Sequence, residues 1–175
     1  MTTLKWFSIP FLLFLAAGCT QEGRIESSQQ EEVLIDDSGR FRGYLLGASP
    51  DTVLAAEKWT PVVANDSIIE YSERVYFSED TVSLDVYLAF DTYGLFEVQV
   101  DVFTMDDTLA ETILDHWSDV LNTAFGEHET LIAAKRWTTF SASNNTVEIT
   151  LSQERNDRGR KFISLNYLEP LDDEY

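Results

Sequence analysis

Two stretches of alternating apolar and polar residues, one on each side of Gly94, constrain the fold most strongly. In residues 84–90 and 96–102 an apolar residue stands at every second position, which is the period of a strand with one buried face. The segment between them, 91–95, fits a three-residue hairpin loop with Gly94 in a left-handed backbone conformation. We therefore predict an antiparallel hairpin with one apolar face and one polar face.

This loop also predicts which residues face each other across the hairpin, because turn geometry sets the register. Counting outward from the loop, the expected pairs are Asp91 with Leu95, Phe90 with Phe96, Leu88 with Val98, and Asp85 with Asp101. The apolar pairs lie on the core side and the two aspartates on the wet side. Like charges directly opposite each other on a sheet are unfavourable unless solvent or a cation screens them.

A first, short helix is predicted to begin after Ser49. Serine is a favoured N-cap, and proline is favoured at the first helical position, which Pro50 occupies. The helix ends by Trp59, because Pro61 forces the residue before it out of the helical region. The residues expected on its buried face are Val53, Leu54 and Ala56.

The second helix has start and stop signals of its own. Thr108 and Glu111 have the spacing of a capping box, and Gly126 is a typical C-terminal residue. Apolar residues recur at helical spacing between these ends, which predicts an amphipathic helix. The expected apolar stripe consists of Leu109, Ile113, Trp117, Val120, Leu121 and Ala124.

The remaining elements define the fold class. One more strand is expected before the hairpin, and three follow the second helix, at 132–140, 147–152 and 161–168. The resulting order, αβββαβββ, belongs to the α+β class, with an antiparallel sheet of about six strands covered on one face by two helices. The similar openings Asp51-Thr52-Val53 and Asp107-Thr108-Leu109 leave a duplication open.

The N-terminus carries Lys5, an apolar run over residues 6–17, and Leu15-Ala16-Ala17-Gly18-Cys19. This pattern resembles a bacterial lipoprotein signal peptide that ends in a lipobox. The apolar run is shorter than the roughly 20 residues of a membrane-spanning helix. The resemblance implies removal of residues 1–18 and attachment of lipid, including palmitate, to Cys19. An ordinary secretory signal and an uncleaved anchor are the alternatives.

The polar segment 19–40 that follows is predicted to be a flexible tether, because its composition cannot bury enough apolar surface to fold. A small apolar cluster at 33–35 is a candidate edge strand. Residues 41–175 then form a single acidic domain. Thr20 stands where retention signals of inner-membrane lipoproteins usually have aspartate, so we expect outer-membrane sorting, with the domain facing the periplasm or exposed on the surface.

The charge of the chain limits its partners. The sequence has 31 acidic and 12 basic side chains, and loss of Lys5 with the signal leaves a net charge of −20. Such a chain repels phosphate backbones and anionic lipid headgroups, so nucleic-acid binding is not expected. We expect a basic or neutral protein partner. Because Cys19 is the one cysteine, no intramolecular disulfide stabilises the fold.

The common catalytic and metal-binding motifs are missing from the sequence. It contains no H-E-x-x-H motif, calcium loop or G-x-S-x-G elbow. Its 31 acidic residues leave a carboxylate pair for glycoside hydrolysis open, but no pair is singled out by an apolar setting. The two histidines, His116 beside the apolar stripe and His128 after the helix end, have structural explanations. We therefore expect no catalytic residues, metal site or cofactor.

The polar face of the hairpin is the candidate binding surface. Two aspartates supply too few of the 6 to 8 oxygen ligands that calcium takes. A solvated face is the simplest interpretation, and a docking face for a basic protein is the functional one. The residues that would form it are Asp85, Tyr87, Glu97, Gln99 and Asp101.

Four hydroxyl residues follow an aspartate and precede an aliphatic residue. This pattern is similar to the O-glycosylation motif of extracytoplasmic proteins in Bacteroidetes-like bacteria. Helix and strand capping explains the same residues without a glycan. The candidate acceptors are Thr52, Ser67, Thr81 and Thr108.

The segment Gly47-x-Ser49-x-x-x-Val53 resembles the opening of small bacterial envelope modules, such as the small lipoprotein of the barrel-assembly machinery and β-lactamase-inhibitor modules. The resemblance implies a protein-binding scaffold. Together these features predict a lipid-anchored envelope lipoprotein that binds a protein and catalyses nothing. A periplasmic ligand-binding or hydrolytic protein and an inhibitor or immunity-type protein are the alternatives.

Overall fold

The structure, a computed structural model, describes residues 40–42, 44–77, 80–141, 143–157 and 160–170. These residues form two helices and ten strands. In chain order the elements are β1 (Arg40–Phe41), β2 (Tyr44–Leu45), α1 (Pro50–Ala56), β3 (Val63–Ala64), β4 (Ile68–Phe77), β5 (Asp80–Asp91), β6 (Gly94–Phe103), α2 (Asp107–Phe125), β7 (Glu129–Thr130), β8 (Ala134–Phe140), β9 (Thr146–Arg155) and β10 (Lys161–Leu168). The predicted signal peptide, Cys19, the tether and its apolar cluster lie outside the described residues.

Eight of the strands form one antiparallel sheet in the order β3-β4-β5-β6-β10-β9-β8-β7, and β1 and β2 form a separate hairpin. The α+β class is confirmed, but the predicted six strands and the order αβββαβββ are wrong. A hairpin precedes α1, and a two-residue strand, β3 or β7, is added at each edge of the sheet. Two residues are too short to show any periodicity in the sequence.

The sheet has two similar halves. In each half a helix is followed by four consecutive strands, each paired with the next, and the last strands of the two halves, β6 and β10, are neighbours in the middle. This arrangement agrees with the duplication that the sequence left open. It also brings residues from the two halves of the chain together on one surface.

The β5–β6 hairpin has a tighter turn than predicted. Asp91 faces Gly94 and Phe90 faces Leu95, so the predicted partners Leu95 and Phe96 are wrong. A β-bulge next to Ala89 leaves Phe96 without a partner on β5 and restores the expected register. The inner pairs, Leu88 with Val98 and Asp85 with Asp101, are therefore confirmed.

Gly94 has a positive φ of 117°, as predicted, and a second reason to be glycine. A Cβ atom at this position would lie 2.3 Å from the carbonyl oxygen of Gly47. The loop before α1 packs here, and its Gly47 N–H donates to the Leu95 carbonyl at 2.7 Å. The close approach attaches the N-terminal part of the chain to the hairpin.

Helix α1 begins as predicted, but it buries fewer residues than predicted. The Ser49 hydroxyl accepts from the Thr52 N–H, and Pro50 is the first helical residue. Of the three residues expected in the core, Val53 is fully buried, whereas Leu54 and Ala56 are exposed. The prediction for these two is wrong, because a helix of seven residues contacts the core along a single line.

Helix α2 has a different N-cap from the predicted one. The Asp106 carboxylate accepts from the N–H groups of Thr108 and Leu109, so the capping box of Thr108 and Glu111 is wrong. Gly126 ends the helix as predicted, with its N–H donating to the Asn122 carbonyl. The predicted stripe is confirmed except for Ala124, which is exposed; the fully buried residues are Ala110, Ile113, Trp117, Ser118 and Leu121.

The core lies between α2 and one face of the sheet. Helix α2 contacts β8, β9 and β10, and Trp117 is 2% exposed among their apolar side chains. His116 packs edge-on against Phe77 of β4, with the ring centroids 5.9 Å apart, in the structural role that was predicted. We call this side of the sheet the covered face.

The N-terminal hairpin is fastened by a buried ion pair. Arg42, between β1 and β2, lies 3.1 Å from Glu57 and stacks on Trp59 with its guanidinium carbon 3.8 Å from the ring centroid. The Glu57 carboxylate also accepts from the N–H groups of Lys58 and Trp59. These contacts join the hairpin to the loop after α1.

Candidate functional site

The other side of the sheet, which we call the open face, is polar in its middle. Its side chains alternate along each strand with those of the covered face, and cross-strand pairing arranges them in rows. The aspartate row is Ser72, Asp85, Asp101, Ser164 and Ser152, and the middle row is Glu70, Tyr87, Gln99, Asn166 and Thr150. Both rows cross five neighbouring strands, from β4 to β9.

Each aspartate of the facing pair has a neutral hydrogen-bond donor. The Ser72 hydroxyl donates to Asp85 at 2.6 Å, and the Gln99 side-chain amide donates to both carboxylate oxygens of Asp101 at 3.1 and 3.0 Å. Ser72 belongs to the aspartate row and Gln99 to the middle row. They hold the two like charges in place without neutralising either of them.

The middle of the open face is recessed. Ser152 and Ser164 are buried although they lie on the side away from α2. Burial raises the pKa of the Asp101 carboxyl above its usual range, against the hydrogen bonds from Ser164 and Gln99, and nearby Glu154 and Asp85 raise it further. The ionised form of Asp101 is therefore held in a site that favours a counter-charge.

Two cavities open side by side along these rows. The first, of about 340 Å³, lies over β4, β5 and β6 and is lined by Asp85, Tyr87 and Asp101 among others. The second, of about 390 Å³, lies over β6, β10 and β9. Gln99 lines both, so we treat them as one groove across the strands.

The charges in the groove have one sign. The acidic residues that line it are Glu70, Asp85, Asp101, Glu148 and Glu154, and none of the described residues lining either cavity is Lys, Arg or His. Arg136 on β8 continues the middle row beyond Thr150, where it donates to Glu129 at 2.5 Å and lies 4.0 Å from Glu148. A paired cation thus stands just past the β9 end of the groove.

Four of the five predicted face residues, Asp85, Tyr87, Gln99 and Asp101, line the first cavity. The fifth, Glu97, lies beside the groove and accepts from the Asn166 side-chain amide at 2.7 Å. The side-chain Oδ1 of Asn166 is buried, and no hydrogen-bond partner for it is found in the described part of the chain. Sequence reasoning missed Asn166 and the other residues of β4, β9 and β10, because the pattern of one strand does not say which strands lie next to it.

A serine and a lysine also lie close together on the covered face. The Lys135 ammonium donates to the Ser118 hydroxyl at 2.9 Å, a pairing that can activate a nucleophile. Ser118, however, lies on the inner side of α2 and is 3% exposed, so a substrate has no access to its hydroxyl. His128 is likewise structural, with Nδ1 3.1 Å from the Asn122 side-chain oxygen.

Two properties of the described residues bear on metal binding and on membrane insertion. No group of three or more His, Cys, Asp or Glu side chains among them is arranged to hold a metal ion. None of the helices in this part of the chain has the length and apolarity needed to cross a membrane.

The four candidate glycosylation residues are all exposed. Thr52 lies in α1, Thr81 in β5 and Thr108 in the first turn of α2, whereas Ser67 lies in the turn between β3 and β4. Thr52 also shares a hydrogen bond with the Ser49 hydroxyl at 2.9 Å, which is the capping role that was the alternative. Modification of these residues stays a prediction.

Comparison with known proteins adds no relative to this picture. No family model, curated protein or solved structure matches the chain. The likeness of its signal to lipoproteins and of Gly47–Val53 to envelope modules stays a prediction.

Proposed function

We propose that this protein is a non-catalytic lipoprotein of the bacterial cell envelope whose acidic domain binds a basic protein partner in the groove of the open face. The single observation that carries the proposal is the charge of the groove. Asp85 and Asp101, each held by a neutral donor, have no described cation beside them in the first cavity. A partner that supplies positive groups would satisfy them.

The geometry favours recognition over catalysis. The carboxylates stand on adjacent strands of a regular sheet, where their positions are fixed by backbone pairing. Surfaces of this kind give electrostatic complementarity, which increases the rate of association and excludes partners of the wrong charge. Tyr87, half-buried beside Asp85 and Asp101, adds an aromatic ring of the kind enriched at interfaces.

Binding of a small cationic ligand is the second candidate. The first cavity, about 340 Å³, has the volume of the smaller ligand pockets, and it combines an aromatic ring with carboxylates. A small amine would occupy this cavity alone, whereas a protein would cover both cavities. Protection of Tyr87 without protection of Thr150 in hydrogen exchange would favour the small ligand.

A photoreactive residue at the open face tests the protein-binding function. Benzoylphenylalanine in place of Tyr87 is expected to crosslink a basic protein when intact cells are irradiated. The matched control carries the same residue in place of Asp115, which is exposed on α2. Equal crosslinking from both positions, or none from Tyr87, would contradict the proposal.

The anchor is tested separately. We propose that lipid on Cys19 attaches the protein to the outer membrane, on the evidence of the apolar run and the lipobox before it. The variant Cys19→Ala is expected to lose labelling by a radioactive fatty acid and to leave the membrane fraction or keep its signal peptide. Labelling that persists in this variant would show that the lipobox assignment is wrong.

A further inference from the structure

We infer that the groove binds an extended basic segment of the partner, about six residues long, that lies across the strands from β4 to β9. The inference rests on the proposed function and names the form of the partner. It commits to an extended chain rather than to the convex surface of a folded domain.

The direction of the bound segment follows from the arrangement of the two cavities. The first extends from Val62, just before β3, over Glu70 on β4, and the second ends at Thr150 on β9, with Gln99 between them. Glu70, Gln99 and Thr150 belong to the middle row, which runs perpendicular to the strands. An elongated occupant therefore lies across the sheet.

The length of the bound segment follows from the spacing of the strands that it crosses. Five neighbouring strands about 4.8 Å apart span about 19 Å, which an extended chain covers with about six residues at 3.3 Å each. Just past Thr150 the next residue of the middle row is Arg136, which is already paired with Glu129. A longer basic segment would meet a pair whose charges offset each other and would gain little.

The floor and the sides of the groove suit an extended chain. Between β5 and β9 the middle row supplies the neutral polar side chains of the floor. Carboxylates flank this floor on both sides, with Asp85 and Asp101 on one and Glu97 and Glu148 on the other. Successive side chains of an extended segment point to opposite sides, so basic residues at neighbouring positions reach both flanks.

Peptides of equal charge test this inference. A labelled linear hexapeptide with four lysines is compared with its head-to-tail cyclised form in fluorescence anisotropy titrations of the full-length protein in detergent. We expect the linear peptide to bind about tenfold more tightly, because the cyclic form presents the same charge but cannot extend. Extending the linear peptide to ten residues with two further lysines should change the affinity little.

Variants of the groove complete the test. The double variant Asp85→Asn/Asp101→Asn should weaken linear-peptide binding about tenfold, and the equally charged control Asp115→Asn/Asp119→Asn, on α2, should not. Equal affinity for linear and cyclic peptides, or a steady increase with peptide length, would overturn the extended-segment inference. The proposed function would then stand if Tyr87 still crosslinks a basic protein, and would fail with the inference if it does not.

Discussion

The two faces of the same strands differ in almost every physical property. On β5, Val86 and Leu88 are fully buried on the covered face, while Asp85 and Tyr87 alternate with them on the open face. The covered face is stabilised by apolar packing against α2, whereas the open face has half-buried polar groups that bond to one another. The comparison shows that the pleat of one sheet separates the packed apolar residues from the polar residues to which we assign recognition. Substitutions on the two faces should therefore have effects of different kinds.

The largest effect is expected on the covered face. Replacing Trp117 with alanine should reduce the free energy of unfolding by about 3 to 5 kcal/mol, because a large aromatic ring leaves a cavity in the core. Urea denaturation measures this change. The control Glu111→Ala, at an exposed position on the same helix, should cost less than about 1 kcal/mol. Similar small losses in both variants would mean that α2 does not pack on the sheet as described.

The next effect concerns the turn that joins β5 and β6. In Gly94→Ala the new methyl group would meet the Gly47 carbonyl oxygen at 2.3 Å, in addition to the strain of a positive φ. We expect a loss of about 3 kcal/mol or more in the same assay. Gly47→Ala has the positive φ without a neighbour within 4 Å, so it should cost only about 1 to 2 kcal/mol. Equal losses would argue against the close packing of this loop.

On the open face one substitution should increase stability. Asp101→Asn removes a charge that is half-buried opposite Asp85, and should stabilise the protein at pH 7 by up to about 1 kcal/mol. The pKa of Asp101 is raised in the folded state, so ionisation destabilises the wild type as the pH rises through that pKa. The advantage of the variant should therefore be present at neutral pH and disappear below about pH 3.9, the ordinary aspartate value. Thermal melting across this pH range measures it, and an advantage that does not change with pH would exclude the electrostatic cause.

These contrasts also explain how much could be predicted from the sequence. The alternation around Gly94, the Ser49 cap and the Gly126 end depend on neighbouring residues, and all three predictions are confirmed. The predicted length of the hairpin loop was wrong, because a bulge at Phe96 takes up one residue of β6. Such a bulge leaves no signature in the sequence. The second half of the groove, which includes Asn166, depends on the pairing of β6 with β10, which are distant in the chain. Pairing of this kind is determined by tertiary packing.

The central claim is that carboxylates of the open face capture a basic partner. The most direct measurement compares capture of proteins from solubilised membranes by the wild type and by Asp85→Asn/Asp101→Asn over increasing salt concentration. The account predicts that the wild type loses its partner steeply as salt rises, and that the variant captures less at low salt with a flatter dependence. Capture by the variant with unchanged yield and unchanged salt dependence would contradict the claim and remove this face as the binding site.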